Sequence, residues 1–134
     1  MRRIVPASLA TVALAAGLFG IGTGTAQAAT ASCTTSTLDV GVIVPATGSY
    51  STDCLLGQGN QSRAVEVLQN TLSVCYGQNI TSDGVFGPAT KSALITVQRQ
   101  IGVSADGVYG PNTRNHMQFI KGSINVGDSP CRIY

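Results

Sequence analysis

The sequence predicts an all-α fold: a small disulfide-tied three-helix bundle, preceded by an extended or short-strand N-terminal segment. Three observations support this prediction. Three segments carry apolar residues at helical spacing, and each ends at a glycine. An eight-residue turn sequence occurs twice, directly before the second and the third of these segments. Four cysteines are spread along a chain of 134 residues, which is long enough for one modest domain.

Residues 1–28 have the features of a cleaved signal peptide. Two arginines near the start precede a mostly apolar stretch, and the AQA sequence at 26–28 is a small-x-small cleavage signal. The alternative is a membrane anchor, which Pro6 and three glycines disfavour and which no cationic cluster follows. We therefore expect an exported protein, extracellular or in the cell wall, whose mature chain begins at Ala29.

The charge of the expected mature chain argues against two classes of partner. Without Arg2 and Arg3, six Lys and Arg residues balance six Asp and Glu residues, so the formal net charge is zero. A neutral chain gains little from releasing counterions from phosphates, which argues against nucleic acid. It also lacks the basic cluster that attaches proteins to anionic lipid, so we expect no membrane contact after signal cleavage.

Residues 29–53 are rich in Thr, Ser and Gly and do not resemble the rest of the chain. Only Leu38, Val40, Val42 and Val44 alternate as a strand does, and Pro45 ends the run. Such a short segment cannot enclose a core of its own. We expect an edge strand or an extended wrap over the helices, with a flexible spacer as the alternative, and place the folded domain at 54–134.

The three helices are expected near residues 62–76, 88–101 and 111–121. The first has Val65, Leu68 and Leu72 on one stripe. A single short helix is not stable in water, so all three must share one core.

The repeated sequence explains how the second and third helices begin. Residues 83–90 (DGVFGPAT) recur as 106–113 (DGVYGPNT), with six of eight positions identical. Asp-Gly predicts a tight turn with glycine at positive φ. The Val-aromatic pair is expected to enter the core, and the proline suits the first position of a helix.

Four cysteines in a small exported chain predict two structural disulfides, with three possible connectivities. A zinc site is the competing interpretation. The sequence has no C-x-x-C motif and His116 is its only histidine, so we expect no metal.

Chain length favours one pairing of the cysteines. Six extended steps from Asn60 back to Cys54 span about 20 Å. Thirteen helical steps from Ser62 forward to Cys75 span about the same distance. A chain doubling back along the first helix would therefore join Cys54 to Cys75 and leave Cys33 with Cys131.

An ordered series of motifs runs through residues 55–121: Gly57 and Gly59, the AVxxLQxxL pattern at 64–72, the two copies of DGV[FY]Gxx[T] and the ALxxVQ pattern at 93–98. This series resembles the peptidoglycan-binding-domain-like family. The resemblance implies a three-helix cell-wall-binding module of a kind usually appended to hydrolases, amidases or transpeptidases. Val97 stands where the family usually has Phe, and His116 where the repeat predicts a small residue.

No catalytic apparatus accompanies these motifs. A lone histidine without a G-x-S-x-G or H-E-x-x-H sequence fits neither a serine hydrolase nor a zinc peptidase. Glycoside hydrolysis needs two carboxylates, but Glu66 is the only glutamate. Asp83 and Asp106 recur in equivalent turns, which favours hydrogen bonds to the backbone. We expect no enzyme activity and no cofactor.

The resemblance directs attention to a groove between the second and third helices. A peptidoglycan binder needs amides, hydroxyls and an aromatic face for sugars, acetamido groups and short peptides. The candidate ligand-binding residues are Gln69, Gln98, Tyr109, Asn112 and Thr113, with Tyr76, Arg99 and Arg114 as possible additions. In the competing interpretation the two glutamines brace the turns, and the tyrosine lies in the core as Phe86 does.

The sequence thus predicts a secreted monomer that binds peptidoglycan without catalysis. The alternative is a secreted interaction or inhibitor protein that binds an extracellular enzyme through the same scaffold.

Overall fold

A computed structural model describes residues 30–134, so the signal-peptide prediction for 1–28 lies outside the described residues. The elements in chain order are β1 (Thr35–Asp39), β2 (Val42–Ala46), α1 (Arg63–Tyr76), α2 (Pro88–Gln100), α3 (Pro111–His116), β3 (Gln118–Ile120) and β4 (Cys131–Ile133). The strands form two antiparallel pairs, β1–β2 and β3–β4. The prediction of an all-α fold is therefore wrong, and the fold is mixed α/β. No helix within residues 30–134 is long and apolar enough to span a bilayer.

The N-terminal segment forms a hairpin. β1 pairs with β2 from Thr35 opposite Ala46 to Asp39 opposite Val42. The two turn residues, Val40 and Gly41, have φ angles of 44° and 83°, as a two-residue hairpin turn requires. Val42 is fully buried and β2 packs against α1, so this hairpin forms part of the single core.

The predictions for the first two helices are confirmed. The Ser62 hydroxyl accepts a hydrogen bond from the Val65 N–H at 3.3 Å and caps the start of α1. Gly77, with φ at 65°, ends it. Pro88 occupies the first position of α2, where its missing N–H leaves no partner unsatisfied.

The third helix is shorter than predicted, because the chain turns to strand after His116. Met117 is already extended, with φ −88° and ψ 151°. Met117 and Phe119 are fully buried while Gln118 and Ile120 are half-buried, which is the period of two that a strand shows. β3 then pairs with β4, so the predicted helix over 111–121 is wrong in its second half.

The predicted disulfide pairing is also wrong: the bonds join Cys33 to Cys54 and Cys75 to Cys131. The chain before α1 does not double back along the helix. Leu55 instead exchanges backbone hydrogen bonds with the N-terminal segment, donating to Ala31 at 2.9 Å and accepting from Cys33 at 3.0 Å. Cys54 therefore lies beside Cys33, and the end of α1 is left to meet β4.

One hydrophobic core joins both sheets and the helices. Its largest fully buried apolar side chains are Tyr109, Phe86, Phe119, Leu56, Leu68, Leu72, Leu94 and Met117. The C-terminal residue also packs on it: the Tyr134 ring meets Phe119 edge to face at 6.2 Å, and its hydroxyl donates to Asp39 at 2.5 Å. The end of the chain is thus held against the β1–β2 hairpin.

Candidate functional site

A buried glutamine organises the turn that precedes α3. Gln98 Nε2 donates to Asp106 Oδ1 at 3.0 Å, to the Val108 carbonyl at 2.9 Å and to Thr113 Oγ1 at 3.1 Å. Its Oε1 accepts from the Gly107 N–H at 2.9 Å. One side chain therefore satisfies four polar groups and joins α2, the turn and α3.

The turn that precedes α2 is built the same way around Gln69. Gln69 Nε2 donates to Asp83 Oδ1, the Val85 carbonyl and Thr90 Oγ1, each at 3.0 Å. Its Oε1 accepts from the Gly84 N–H at 2.9 Å. The repeat in the sequence is therefore a repeat of a hydrogen-bond network.

Hydrogen bonding lowers the pKa of the Asp83 carboxyl, first through the Val85 N–H and then through the Gln69 amide. Stabilisation from Asp83 is therefore present above its unfolded pKa of about 4 and is lost as the pH falls through the lower folded value. We expect Asp83→Asn to flatten the fall of unfolding free energy below pH 4, measured by urea denaturation between pH 2 and 7. Asp128→Asn, at an exposed carboxylate outside both turns, is the control. An unchanged pH profile in Asp83→Asn would contradict the assignment.

Each of the two turns borders an open pocket of about 210 Å³. The pockets share five repeat-related residue types: an aspartate, a valine, a glycine, a proline and a threonine. In chain order these are Asp83, Val85, Gly87, Pro88 and Thr90 in the pocket at α2, and Asp106, Val108, Gly110, Pro111 and Thr113 in the pocket at α3. The two pockets therefore have these five residue types in common and differ in the rest of their linings.

The pocket walls combine apolar and hydrogen-bonding groups. Val85 and Val108 are 43% and 38% exposed, which leaves their methyl groups open to a ligand. The turn hydrogen bonds engage Oδ1 of Asp83 and Asp106, so Oδ2 of each can accept from a hydroxyl or an amide. Such walls suit a neutral ligand with hydroxyl or amide groups.

The structure places most of the predicted ligand-binding residues inside the protein. Gln69, Gln98 and Thr113 are buried in the two networks, and Tyr109 is a fully buried core residue. Burial raises the pKa of the Tyr109 hydroxyl, which has no hydrogen-bond partner within the described residues. Asn112 alone of the five is exposed, at the mouth of the pocket at α3. Ligand contact by these residues stays a prediction.

The two exposed valines were missed, because the Val-aromatic pairs were expected to be buried together. Only the aromatic partners, Phe86 and Tyr109, are buried. Each lies in extended backbone that pairs with the segment before α1: the Phe86 N–H donates to the Asn60 carbonyl at 2.9 Å. Successive residues in extended backbone point to opposite sides, so valine faces out where the ring faces in.

The other candidates are engaged in local contacts or exposed. Arg114 is buried and donates to the Thr52 carbonyl at 2.7 Å, and the Tyr76 hydroxyl accepts from the Gln118 N–H at 2.6 Å. Arg99 is exposed in the last turn of α2.

Of the residues weighed for catalysis, Asp83 and Asp106 line the two pockets, whereas Glu66 and His116 line neither. Glu66 pairs with Arg63 at 2.6 Å on α1, and the His116 ring lies 2.8 Å from the Asn112 carbonyl. No group of three potential metal ligands occurs in the part of the chain that the structure describes.

Comparison with known proteins identifies the family of the part of the chain that carries both hydrogen-bond networks. Residues 61–117 match the family model described as a putative peptidoglycan binding domain. The chain belongs to this family. The match lies within the region 55–121 that the motifs delimit, and the predicted resemblance is confirmed. Membership supports peptidoglycan binding and, with the two disulfides, an extracellular or cell-wall location.

Two solved structures are similar to part of this chain. One is a peptidoglycan-binding protein from Clostridioides difficile in complex with glutamine hydroxamate, 30% identical over 58% of this chain with a TM-score of 0.48. The chain spans about half of that protein, 52%. The other is the SleB N-terminal domain, 31% identical over 46% of this chain and 85% of its own, with a TM-score of 0.45. A search of curated proteins found no match.

Proposed function

We propose that this protein is a secreted monomer that binds peptidoglycan without cleaving it, and that the two repeat-related pockets contact the polymer. The observation that carries the proposal is the recurrence of five residue types in two pockets on one domain of the peptidoglycan-binding family. A polymer offers the same sugar and acetamido groups at successive units. A polymer chain that reaches both pockets would engage two units, and the second contact would then form at a high effective concentration.

The carboxylates of the domain support the non-catalytic part of the proposal. Glycoside hydrolysis needs one carboxylic acid with a raised pKa and a second carboxylate across the scissile bond. The pKa of Asp83 is lowered instead, and Oδ1 of both turn aspartates is held by the networks. We expect incubation with purified sacculi to release no reducing sugar and no new amino groups. Release that disappears in Glu66→Gln would contradict this.

The first experiment is co-sedimentation of the disulfide-bonded protein with washed, protein-free sacculi. We expect retention on these sacculi. Retention only on protein-bearing walls would instead support the alternative, a secreted protein that binds or inhibits an extracellular enzyme.

The pockets are tested by Val85→Gln and Val108→Gln, two neutral changes at partly exposed side chains. Each loses roughly 1 kcal/mol of apolar contact with ligand, so we expect each to weaken retention by about fivefold and the pair together by more. Thermal denaturation checks that the variants remain folded.

Val74→Gln is the matched control, because Val74 is also exposed, at 52%, but lies on α1 and lines neither pocket. If the folded protein with both Val85→Gln and Val108→Gln is retained on sacculi as well as Val74→Gln is, the binding surface lies elsewhere.

A further inference from the structure

A third groove lies outside residues 61–117, between the β1–β2 turn and the loop that joins β3 to β4. It has a volume of about 340 Å³. Its walls include Leu38 and Gly41 from the hairpin and Lys121, Gly122 and Arg132 from the C-terminal segment. The groove is therefore a feature of the parts of this chain that flank the family domain.

The rim of this groove is held by the backbone. The Gly122 N–H donates to the Gly41 carbonyl at 3.1 Å, and the Lys121 N–H donates to the Pro130 carbonyl at 2.9 Å. The disulfide at Cys131 fixes the residue next to Arg132. The groove is thus preformed, which lowers the entropic cost of binding.

The hairpin turn beside the groove is strained. Val40 has φ at 44°, a conformation that β-branched residues rarely adopt, and such outliers cluster at functional sites. A Cβ at Gly122 would meet the end of the exposed Leu38 side chain, which would have to turn away. Gly122 and the Leu38 side chain therefore lie in close contact at the groove.

The groove carries an excess of positive charge. Arg132 forms no ion pair and no side-chain hydrogen bond within residues 30–134, and its Nη1 lies beside Gly41 at the groove wall. Lys121 Nζ lies 3.9 Å from Asp128 Oδ2, which is a loose contact. Two cations thus face one carboxylate, and the guanidinium is free to bind another anion.

We propose that this groove binds the free carboxylate end of a short peptide. Arg132 offers the two parallel N–H groups that suit a carboxylate, and Lys121 adds a second cation. Leu38, which is 64% exposed, forms the apolar wall against the terminal side chain. The proposal rests on the proposed function for its source of ligand, because peptidoglycan carries short peptides with free carboxylates.

The test is an NMR titration of the disulfide-bonded protein with alanyl-alanine as the free acid and as the C-terminal amide. We expect the free acid to shift amide resonances of residues 38–41, 121–122 and 131–132, and the amide to bind about tenfold more weakly. Arg132→Gln should weaken binding of the free acid about tenfold. Asp128→Asn should strengthen it about threefold, because it removes the anion that competes for Lys121.

The matched control is Arg63→Gln, which removes an exposed arginine of α1 outside the groove and should leave the affinity unchanged. Equal affinity in Arg132→Gln and the control, or weaker binding in Asp128→Asn, overturns the proposal. The sacculus experiment fails independently: wild-type protein that binds the dipeptide but does not sediment would refute the proposed function and leave this groove assigned. Wild-type protein that sediments with sacculi but shows no resonance shifts with the dipeptide would refute the groove proposal and leave the proposed function supported.

Discussion

Replacing Gln98 with leucine is expected to lower the free energy of unfolding by about 3 kcal/mol. Leucine fills a similar volume but makes no hydrogen bond. The Gly107 N–H, the Val108 carbonyl and the Thr113 hydroxyl would each lose their partner where Gln98 is fully buried. Urea denaturation at neutral pH measures the change.

Gln69→Leu is expected to cost a similar amount, because Gln69 makes the same four hydrogen bonds in the first turn. Gln100→Leu is the matched control, since Gln100 is an exposed glutamine at the end of α2. Losses in the two buried variants no larger than in the control would show that the networks do not stabilise the fold.

The repeated sequence predicted both turns because each copy contains all the groups of its own network except the glutamine. Asp, Gly, Val and Thr lie within eight residues, and the glutamine lies one position after a buried leucine or valine of the preceding helix. Such local information also predicted α1 and α2 from their apolar stripes and caps. Interactions that are local in sequence are the ones a single sequence reveals.

An edge strand was expected within residues 29–53, but the pairing of strands into two sheets was missed because long-range contacts and an unusual turn decide it. The hairpin turn contains Val40 rather than the Asn or Asp that usually accompanies glycine in such turns. In the C-terminal part, Met117 and Phe119 fit either a helix or a strand over so short a run. The partner strand, Cys131–Ile133, decides between them, and no local pattern marks it.

The positions of the proposed binding surfaces were harder to predict than the fold of the turns. The exposure of Val85 and Val108 follows from extended backbone that pairs with residues before α1. A separate non-local pairing, of Leu55 with Ala31 and Cys33, places Cys54 beside Cys33 and accounts for the wrong disulfide prediction. A glutamine that braces a turn and a glutamine that binds a sugar look the same in a sequence.

Removing the disulfide between Cys75 and Cys131 by a double serine substitution should lower the free energy of unfolding by about 4 kcal/mol. In the chain-entropy account, the cost grows with the length of the closed loop, and these cysteines are separated by 56 residues. The bond between Cys33 and Cys54 closes a separation of 21 residues, so its removal should cost about 3 kcal/mol. Urea denaturation of the two double variants under oxidising conditions measures both changes.

The two removals should also differ in what they do to ligand binding. Cys131 begins β4 and precedes Arg132, so its release should weaken dipeptide binding in the groove as well as stability. The double serine variant at Cys33 and Cys54 leaves β4 tied and should keep dipeptide affinity while it is folded. Non-reducing peptide mapping that joins Cys54 to Cys75 would contradict the pairing on which both expectations depend. Equal loss of groove binding in the two folded variants would show instead that general stability, and not the anchoring of β4, holds Arg132 in place.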